Sequence, residues 1–110
     1  MFSKSKRINR KDFDNVLMNG KVFHGKTIYI RYIKGKSGEL KRFSVVVPKK
    51  VLSGAVKRHF LRRKVVKSLK CVEENCPSGD FLIFIKKEFL INENSDINSE
   101  LQDIVKYLVQ

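Results

Sequence analysis

The stretch from Lys41 to Val72 carries eleven basic side chains and no acidic one. An apolar run at residues 43–47 leads into two lysines, and a strongly basic segment follows them. Because cations this close together repel each other, the stretch is unfavourable unless a polyanion neutralises it. A surface that serves only solubility would mix the two signs of charge. The stretch therefore predicts a strand, then a basic helix, and a nucleic-acid partner.

The basic segment from Ala55 onward has the apolar spacing of an amphipathic helix. Its apolar stripe consists of Leu61, Val65, Leu69 and Val72. Most of its cations fall elsewhere on the helical wheel: Lys57, Arg62, Arg63, Lys64, Lys67 and Lys70. Arg58 lies on the core side but in the first turn, so we expect it to point past the core, over the end of the sheet. His59 lies beside the far-side cations and Phe60 among them. A solvated face is the alternative, but such a face normally carries acidic partners four residues from its cations.

The segment resembles a known protein family. Its pattern consists of Lys49-Lys50, a four-residue spacer, Ala55, then Arg58 and finally Leu61-Arg62-Arg63. This order is similar to the signature of the bacterial ribonuclease P protein subunit, in which Lys-Lys, a short spacer and Ala precede Arg-Asn-x-hydrophobic-Lys/Arg-Arg on a helix. Four positions depart from the family pattern. His59 replaces the family's Asn, Phe60 replaces a basic residue, Val66 replaces an Arg, and Pro48 replaces a small residue.

Length and charge indicate one RNA-binding domain over residues 1–110, with residues 1–8 as a flexible basic N-terminus. The formal net charge is +13. Residues 1–70 contribute +18 and residues 71–110 contribute −5. We therefore place the binding surface in the first two-thirds of the chain and a supporting role in the last third.

Hydrophobic periodicity and turn residues predict the order α-β-β-β-α-β-α. The expected elements are a helix from the Asn9 cap to Asn19 that ends at Gly20, strands over 21–24, 26–34 and 41–47, the basic helix, a strand over 80–85 and a helix from about Ser95 to Val109. Residues 35–38 are expected to form a turn. The strand at 80–85 is almost wholly apolar, so it should be buried on both faces. The final helix should pack the stripe Ile97, Leu101, Ile104, Val105 and Leu108 on the sheet, with Glu100, Asp103 and Lys106 outward.

The predicted order is similar to the α/β (α+β) two-layer sandwich of the ribonuclease P proteins. A strand, a helix and another strand suggest a parallel pair with a helical crossover. General rules favour a right-handed crossover, whereas the resemblance implies a left-handed one, and the residues themselves do not decide between them.

A second surface is expected beside the first helix. The spacing of Phe13, Val16 and Leu17 predicts one apolar helix face. The resemblance implies that Phe13 lines a cleft for single-stranded RNA, where aromatic side chains stack on bases. Leu17 stands where the family often has a second aromatic, and it can contact a base without stacking. The alternation of side chains along the second strand places Thr27, Tyr29 and Arg31 on one face. A tyrosine beside an arginine suits base stacking together with phosphate contact. There are two alternatives to an RNA-binding role. The helix residues would pack in the core, and Tyr29 and Arg31 would be ordinary exposed side chains of a strand.

The two cysteines do not indicate a metal site. Cys71 and Cys76 form a lone C-x₄-C pair without a matching Cys or His cluster. We expect both to stay reduced, with Cys71 packed at the helix end. The N-terminus is basic but has no apolar run, and no segment is long and apolar enough to span a bilayer. These features favour a cytoplasmic protein with no membrane partner.

No catalytic constellation stands out in the chain. His24 and His59 lack companions at metal-ligand spacing, and Asp12 and Asp14 are two residues apart, so they do not share a helix face. No glycine loop is present that would cradle the phosphates of a small-molecule substrate. We therefore expect no catalytic residue, no protein-bound metal and no small-molecule substrate.

The resemblance implies where the chemistry resides. In ribonuclease P a catalytic RNA removes the 5′ leader of precursor tRNA with Mg²⁺, which the RNA and the substrate mainly bind, and the protein assists. The expected partners are thus the catalytic RNA subunit and precursor tRNA. The expected RNA-binding residues are Lys49, Lys50, Lys57, Arg58, His59, Arg62, Arg63 and Lys67, and the expected leader cleft consists of Phe13, Leu17, Tyr29 and Arg31.

Two other functions fit parts of the same sequence. A structural RNA-binding protein, such as a small ribosomal protein, would share the size and charge. An autonomous nuclease would need metal-binding carboxylates where phosphate binds, and most acidic residues lie in the C-terminal third.

Overall fold

The structure, a computed structural model, describes residues 8–35, 41–87, 89 and 97–109. Its elements are α1 (Arg10–Asn19), β1 (Lys21–His24), β2 (Ile28–Lys34), β3 (Lys41–Val46), α2 (Ala55–Val72), a 3₁₀ turn (Glu73–Asn75), β4 (Gly79–Ile85) and α3 (Ile97–Val109). The predicted order α-β-β-β-α-β-α is confirmed, and most predicted bounds agree to within two residues.

The four strands form one sheet in the order β1-β2-β4-β3. β4 lies in the interior of the sheet, antiparallel to β2 and parallel to β3. Residues 81–85 are all buried, as the continuous apolar run predicted. The parallel pair joined through α2 is likewise confirmed, and the left-handed sense of that crossover stays a prediction.

One face of the sheet packs against α2 and α3, and together they enclose the main core. The predicted stripe of α2 is buried, and Val66 is buried beside it. Aromatic rings cross this face of the sheet in a row. Tyr32 stacks on Phe81 with centroids 4.6 Å apart, and Phe81 stacks on Phe43 at 5.0 Å. Because offset stacking adds to the burial of large rings, this row binds β2, β4 and β3 together.

The opposite face of the sheet carries α1. Val16 is fully buried there against Leu82 and Phe84 of β4. The two-layer sandwich thus consists of the sheet and the α2–α3 layer, with α1 across the other side. As predicted, Asn9 caps α1, and its side chain accepts a hydrogen bond from the Asp12 amide at 2.9 Å.

Gly20 ends α1, as predicted, for a steric reason. Its φ of −71° is open to any residue. However, a Cβ at this position would lie 2.5 Å from the carbonyl oxygen of Val16. The close passage of the chain out of α1 into β1 therefore requires glycine.

A carboxylate joins α3 to the start of β2. Glu100 accepts hydrogen bonds from the Thr27 amide (2.7 Å), the Thr27 hydroxyl (2.5 Å) and the Ile28 amide (3.2 Å). Two predictions were therefore wrong. Thr27 was expected within the strand, on the face opposite the likelier core face, yet it precedes β2 and is buried. Glu100 was expected to point outward, yet its carboxylate provides the acceptors that buried donors require.

The two cysteines have opposite environments. Both are free thiols, but Cys71 is exposed and Cys76 is buried in the main core. The prediction that Cys71 packs at the helix end was wrong, because its position on α2 faces solvent. Burial raises the pKa of the Cys76 thiol to about 11.

Three predictions lie wholly or partly outside the described residues: the flexible segment 1–8 beyond Ile8, the turn at 35–38 beyond Gly35, and the start of α3 near Ser95. Among the described helices, none combines the length and apolar character that crossing a membrane requires.

We expect Glu100→Ala to lower the free energy of unfolding by about 1–3 kcal/mol, because it leaves buried donors at Thr27 without an acceptor. Urea denaturation followed by circular dichroism measures the change. Asp103→Ala, an exposed acidic residue on the same helix, is the matched control and should shift stability by no more than about 0.5 kcal/mol. Equal effects of the two substitutions would contradict the role of Glu100.

We expect a thiol reagent at pH 8 to label Cys71 rapidly and Cys76 only when the protein unfolds. The thiolate is the reactive form, and Cys76 combines a pKa of about 11 with burial. A colorimetric disulfide reagent gives the number and rate of reacting thiols. In Cys71→Ser, the remaining thiol should react no faster than the protein opens, and rapid labelling of that variant would refute the prediction.

Candidate nucleic-acid interface

The connection from β3 to α2 exposes the paired lysines. The edge strand β3 ends at Val46. Pro48, which lacks a backbone N–H donor, follows it two residues later. Its carbonyl accepts hydrogen bonds from the amides of Val51 (3.0 Å) and Leu52 (3.1 Å). These bonds close a turn that leaves Lys49 and Lys50 exposed. We call Pro48–Leu52 the lysine turn.

α2 begins after Gly54, whose φ of +97° is unfavourable for other residues. No side chain caps this end of the helix, and its first turn contains no acidic residue. The unscreened positive end of the helix dipole therefore adds to the charge that Lys49 and Lys50 supply nearby in the chain.

The outward face of α2 is cationic in the structure, as the wheel predicted. Its exposed cations are Lys57, Arg63, Lys64, Lys67 and Lys70, whereas Arg58, His59 and Arg62 are half-buried. Arg58 donates from Nη1 to the carbonyl oxygen of Leu52 at 3.3 Å. Its guanidinium thus contacts the lysine turn and links that turn to the helix.

Arg42 is compensated, contrary to the sequence-based expectation that the basic stretch has no acidic partners. Its guanidinium donates two hydrogen bonds of 2.8 Å to Asp80 and contacts Asp12 at 2.9 Å. The hydrogen bond with Asp80, above all, raises the pKa of Arg42. The ammonium of Lys41 in turn donates to the carbonyl oxygens of Glu73 and Glu74. The cationic surface therefore extends from the lysine turn along α2 and does not include the start of β3.

The predicted cleft residues meet on the α1 side of the sheet. Phe13 and Tyr29 are half-buried against the cluster of Val16, Leu82 and Phe84. Leu17 remains exposed. We call this region the α1 cleft.

Arg31 crosses the α1 cleft to the backbone of α1. Its Nη1 donates to the Leu17 carbonyl oxygen at 2.8 Å. Its Nε is buried and has no hydrogen-bond partner among the described residues. The hydrogen bond to Leu17 joins β2 to α1, whereas the buried Nε itself is not accessible to a ligand.

Tyr29 is the central ring of an aromatic row that the sequence did not reveal. The strand register places it between His24 of β1 and Phe84 of β4. Phe84 stacks on it at 4.7 Å with an interplanar angle of 3°, and His24 lies at 5.7 Å with a tilt of 35°. Both faces of Tyr29 therefore meet rings of this protein, so its hydroxyl and ring edge are the parts available to a ligand.

The two surfaces meet at one end of the sheet. Val46, the last residue of β3, lies opposite Phe84 in the parallel register and packs on the α1 side. The lysine turn begins two residues later. A ligand on the Tyr29 row is therefore close to the cations that precede α2.

A family model described as Ribonuclease P matches residues 2–109. The chain belongs to the Ribonuclease P family. It is accordingly a protein component of an endoribonuclease that processes tRNA, and its partner in that ribonucleoprotein is RNA. A sequence search of curated proteins returns no significant match.

Solved structures show the same fold. The RNase P protein of Staphylococcus aureus matches with a TM-score of 0.79 and 20% identity, covering 94% of this chain and 95% of that one. The RNase P protein of Thermotoga maritima matches with a TM-score of 0.78 and 22% identity, covering 92% and 96%. The expected family and fold are thus confirmed.

Proposed function

We propose that the chain binds the catalytic RNA of ribonuclease P and the 5′ leader of precursor tRNA, and so assists removal of that leader in the cytoplasm. The observation that carries the proposal is the junction of two different surfaces. One is cationic and follows α2; the other is partly aromatic and lies in the α1 cleft. A structural RNA-binding protein of the ribosome would need the first surface and has no evident use for the second.

The cationic surface suits a folded RNA. Its proposed contacts are Lys49, Lys50, Lys57, Arg58, His59, Arg62, Arg63 and Lys67. Cations on a rigid helix neutralise phosphates and release counterions, which supplies affinity without reading sequence. Arg58 serves a second purpose here, because its bond to Leu52 keeps the lysine turn against the helix.

The α1 cleft suits a single strand. Phe13 and the exposed Leu17 offer apolar contact, and the half-buried Arg31 offers positive charge to a phosphate. Because His24 and Phe84 cover the faces of Tyr29, we assign its ring edge and hydroxyl to the leader. Phe13 is therefore the ring that we assign to stacking on a leader base.

We assign the cleavage chemistry to the RNA. Among the described residues, no three His, Cys, Asp or Glu side chains come together as potential metal ligands. The proposal places Mg²⁺ mainly on the RNA subunit and the substrate. The residues of this chain bind and orient RNA, and none has a catalytic role in the proposal.

We expect Arg63→Ala to weaken binding to the catalytic RNA and to reduce the slope of log affinity against log salt by about 0.7–0.9, the value for one lost phosphate contact. Filter binding over a range of salt concentrations measures both quantities. Lys106→Ala on the outer face of α3 is the matched control, since it removes one exposed cation remote in sequence from the basic stretch. An unchanged slope for Arg63→Ala would exclude Arg63 as a phosphate contact.

We expect the affinity of the reconstituted complex for precursor tRNA to rise over the first few leader nucleotides and then level off. Phe13→Ala should flatten this dependence by up to about 1–3 kcal/mol per lost stacked base, while binding of the catalytic RNA stays nearly unchanged. Met18→Ala, exposed on the same helix, is the control. If the affinity of the unaltered protein does not depend on leader length, the ribosomal alternative is favoured. If Phe13→Ala weakens leader binding and catalytic-RNA binding equally, Phe13 is a core residue.

A further inference from the structure

The cationic face of α2 also carries two large apolar side chains that the proposed phosphate contacts do not use. Phe60 is 73% exposed and Val56 is 84% exposed. They lie four residues apart, so they are neighbours on one face of the helix. The helix already buries its apolar stripe against the core, and these two residues are not part of it.

The surroundings of Phe60 are those of a nucleic-acid contact. Lys57 precedes it by three residues, and Arg63 and Lys64 follow by three and four, so all three flank it on the helix surface, and all are exposed. α2 contains no acidic side chain. An apolar ring among cations of one sign suits a partner that has both negative charge and flat unsaturated rings. Single-stranded nucleic acid combines both properties, because every base offers a π face beside its phosphate.

We propose that Phe60 stacks on an unpaired base of the RNA that α2 contacts, with Val56 packed beside the same nucleotide. The inference rests on the proposed function and deepens it. Bases inside a continuous helix are covered by their neighbours, and an RNA duplex is recognised mainly by shape and by its backbone. The cations of α2 would bind phosphates in paired or unpaired RNA alike. Phe60 therefore selects a loop or a bulge, and it fixes the position of α2 along the RNA.

The chain has no tryptophan, which allows a direct test. Phe60→Trp places the only tryptophan of the protein at this site. We expect its fluorescence to be quenched when the protein binds the catalytic RNA of a bacterial ribonuclease P. Binding to an RNA duplex of about 16 base pairs, which has no unpaired base, should leave the fluorescence nearly unchanged. Tyr107→Trp is the matched control, an exposed aromatic on α3 that neither RNA should quench.

Affinity provides a second, independent measurement. Phe60→Ala should weaken binding to the catalytic RNA by about 5-fold to 150-fold, the range for one stacked base. Its salt slope should equal that of the unaltered protein, because no phosphate contact is lost. Phe60→Trp should restore the affinity, and Phe60→Leu, which keeps apolar area without a ring, should not. Urea denaturation should show unchanged stability, since Phe60 is exposed.

The outcomes separate the two proposals. If the unaltered protein does not bind the catalytic RNA, the proposed function fails and the stacking inference fails with it. If it binds while Phe60→Ala binds equally well, only the stacking inference is overturned. Equal quenching of Phe60→Trp by the duplex would also overturn it, because contact would then not require an unpaired base.

Discussion

The fold depends on the position of β4 between β2 and β3. β4 pairs with both of these strands, and its residues 81–85 are buried on the two faces of the sheet alternately. On one face Phe81 joins the ring row that holds the main core together, and on the other Phe84 supports Tyr29. Each of the two surfaces proposed to bind RNA therefore rests on side chains of the same strand, so a change in β4 would disturb both.

Acidic side chains are unevenly distributed along the basic stretch and its neighbours. Asp80 and Asp12 bind Arg42, which joins α1 to the sheet at the cost of one cation from the basic stretch. Beyond Pro48, the lysine turn and α2 contain no acidic side chain. The ion pairs of Arg42 stabilise the fold, whereas the cations beyond Pro48, which we propose bind RNA, repel each other in the free protein.

Local patterns predicted the elements well, and contacts distant in sequence account for what was missed. The stripe of α2, the buried strand β4 and the Asn9 cap each depend on residues within a few positions of one another, so spacing alone reveals them. The pairing of Arg42 with Asp80, the bond of Glu100 to Thr27 and the His24–Tyr29–Phe84 row depend on strand register and helix docking. Neither the strand register nor the docking of a helix can be derived from one sequence by spacing alone. In the structure, the residues predicted to contact RNA lie on two adjoining surfaces. Their roles in RNA binding stay predictions, because they are inferred from the chemistry of the side chains.

The central place of β4 also has a consequence for biosynthesis. Ribosomes make the chain from its N-terminus, so β3 and the whole of α2 are complete before the strand that both pack against has been made. Until residue 85 has left the exit tunnel, β2 and β3 have no shared neighbour, and the apolar stripe of α2 has no sheet to cover. The bond between Thr27 and Glu100 spans 73 residues and must form later still. Contacts this distant in sequence slow folding. The nascent chain therefore presents a long cationic segment beside ribosomal RNA before it can fold.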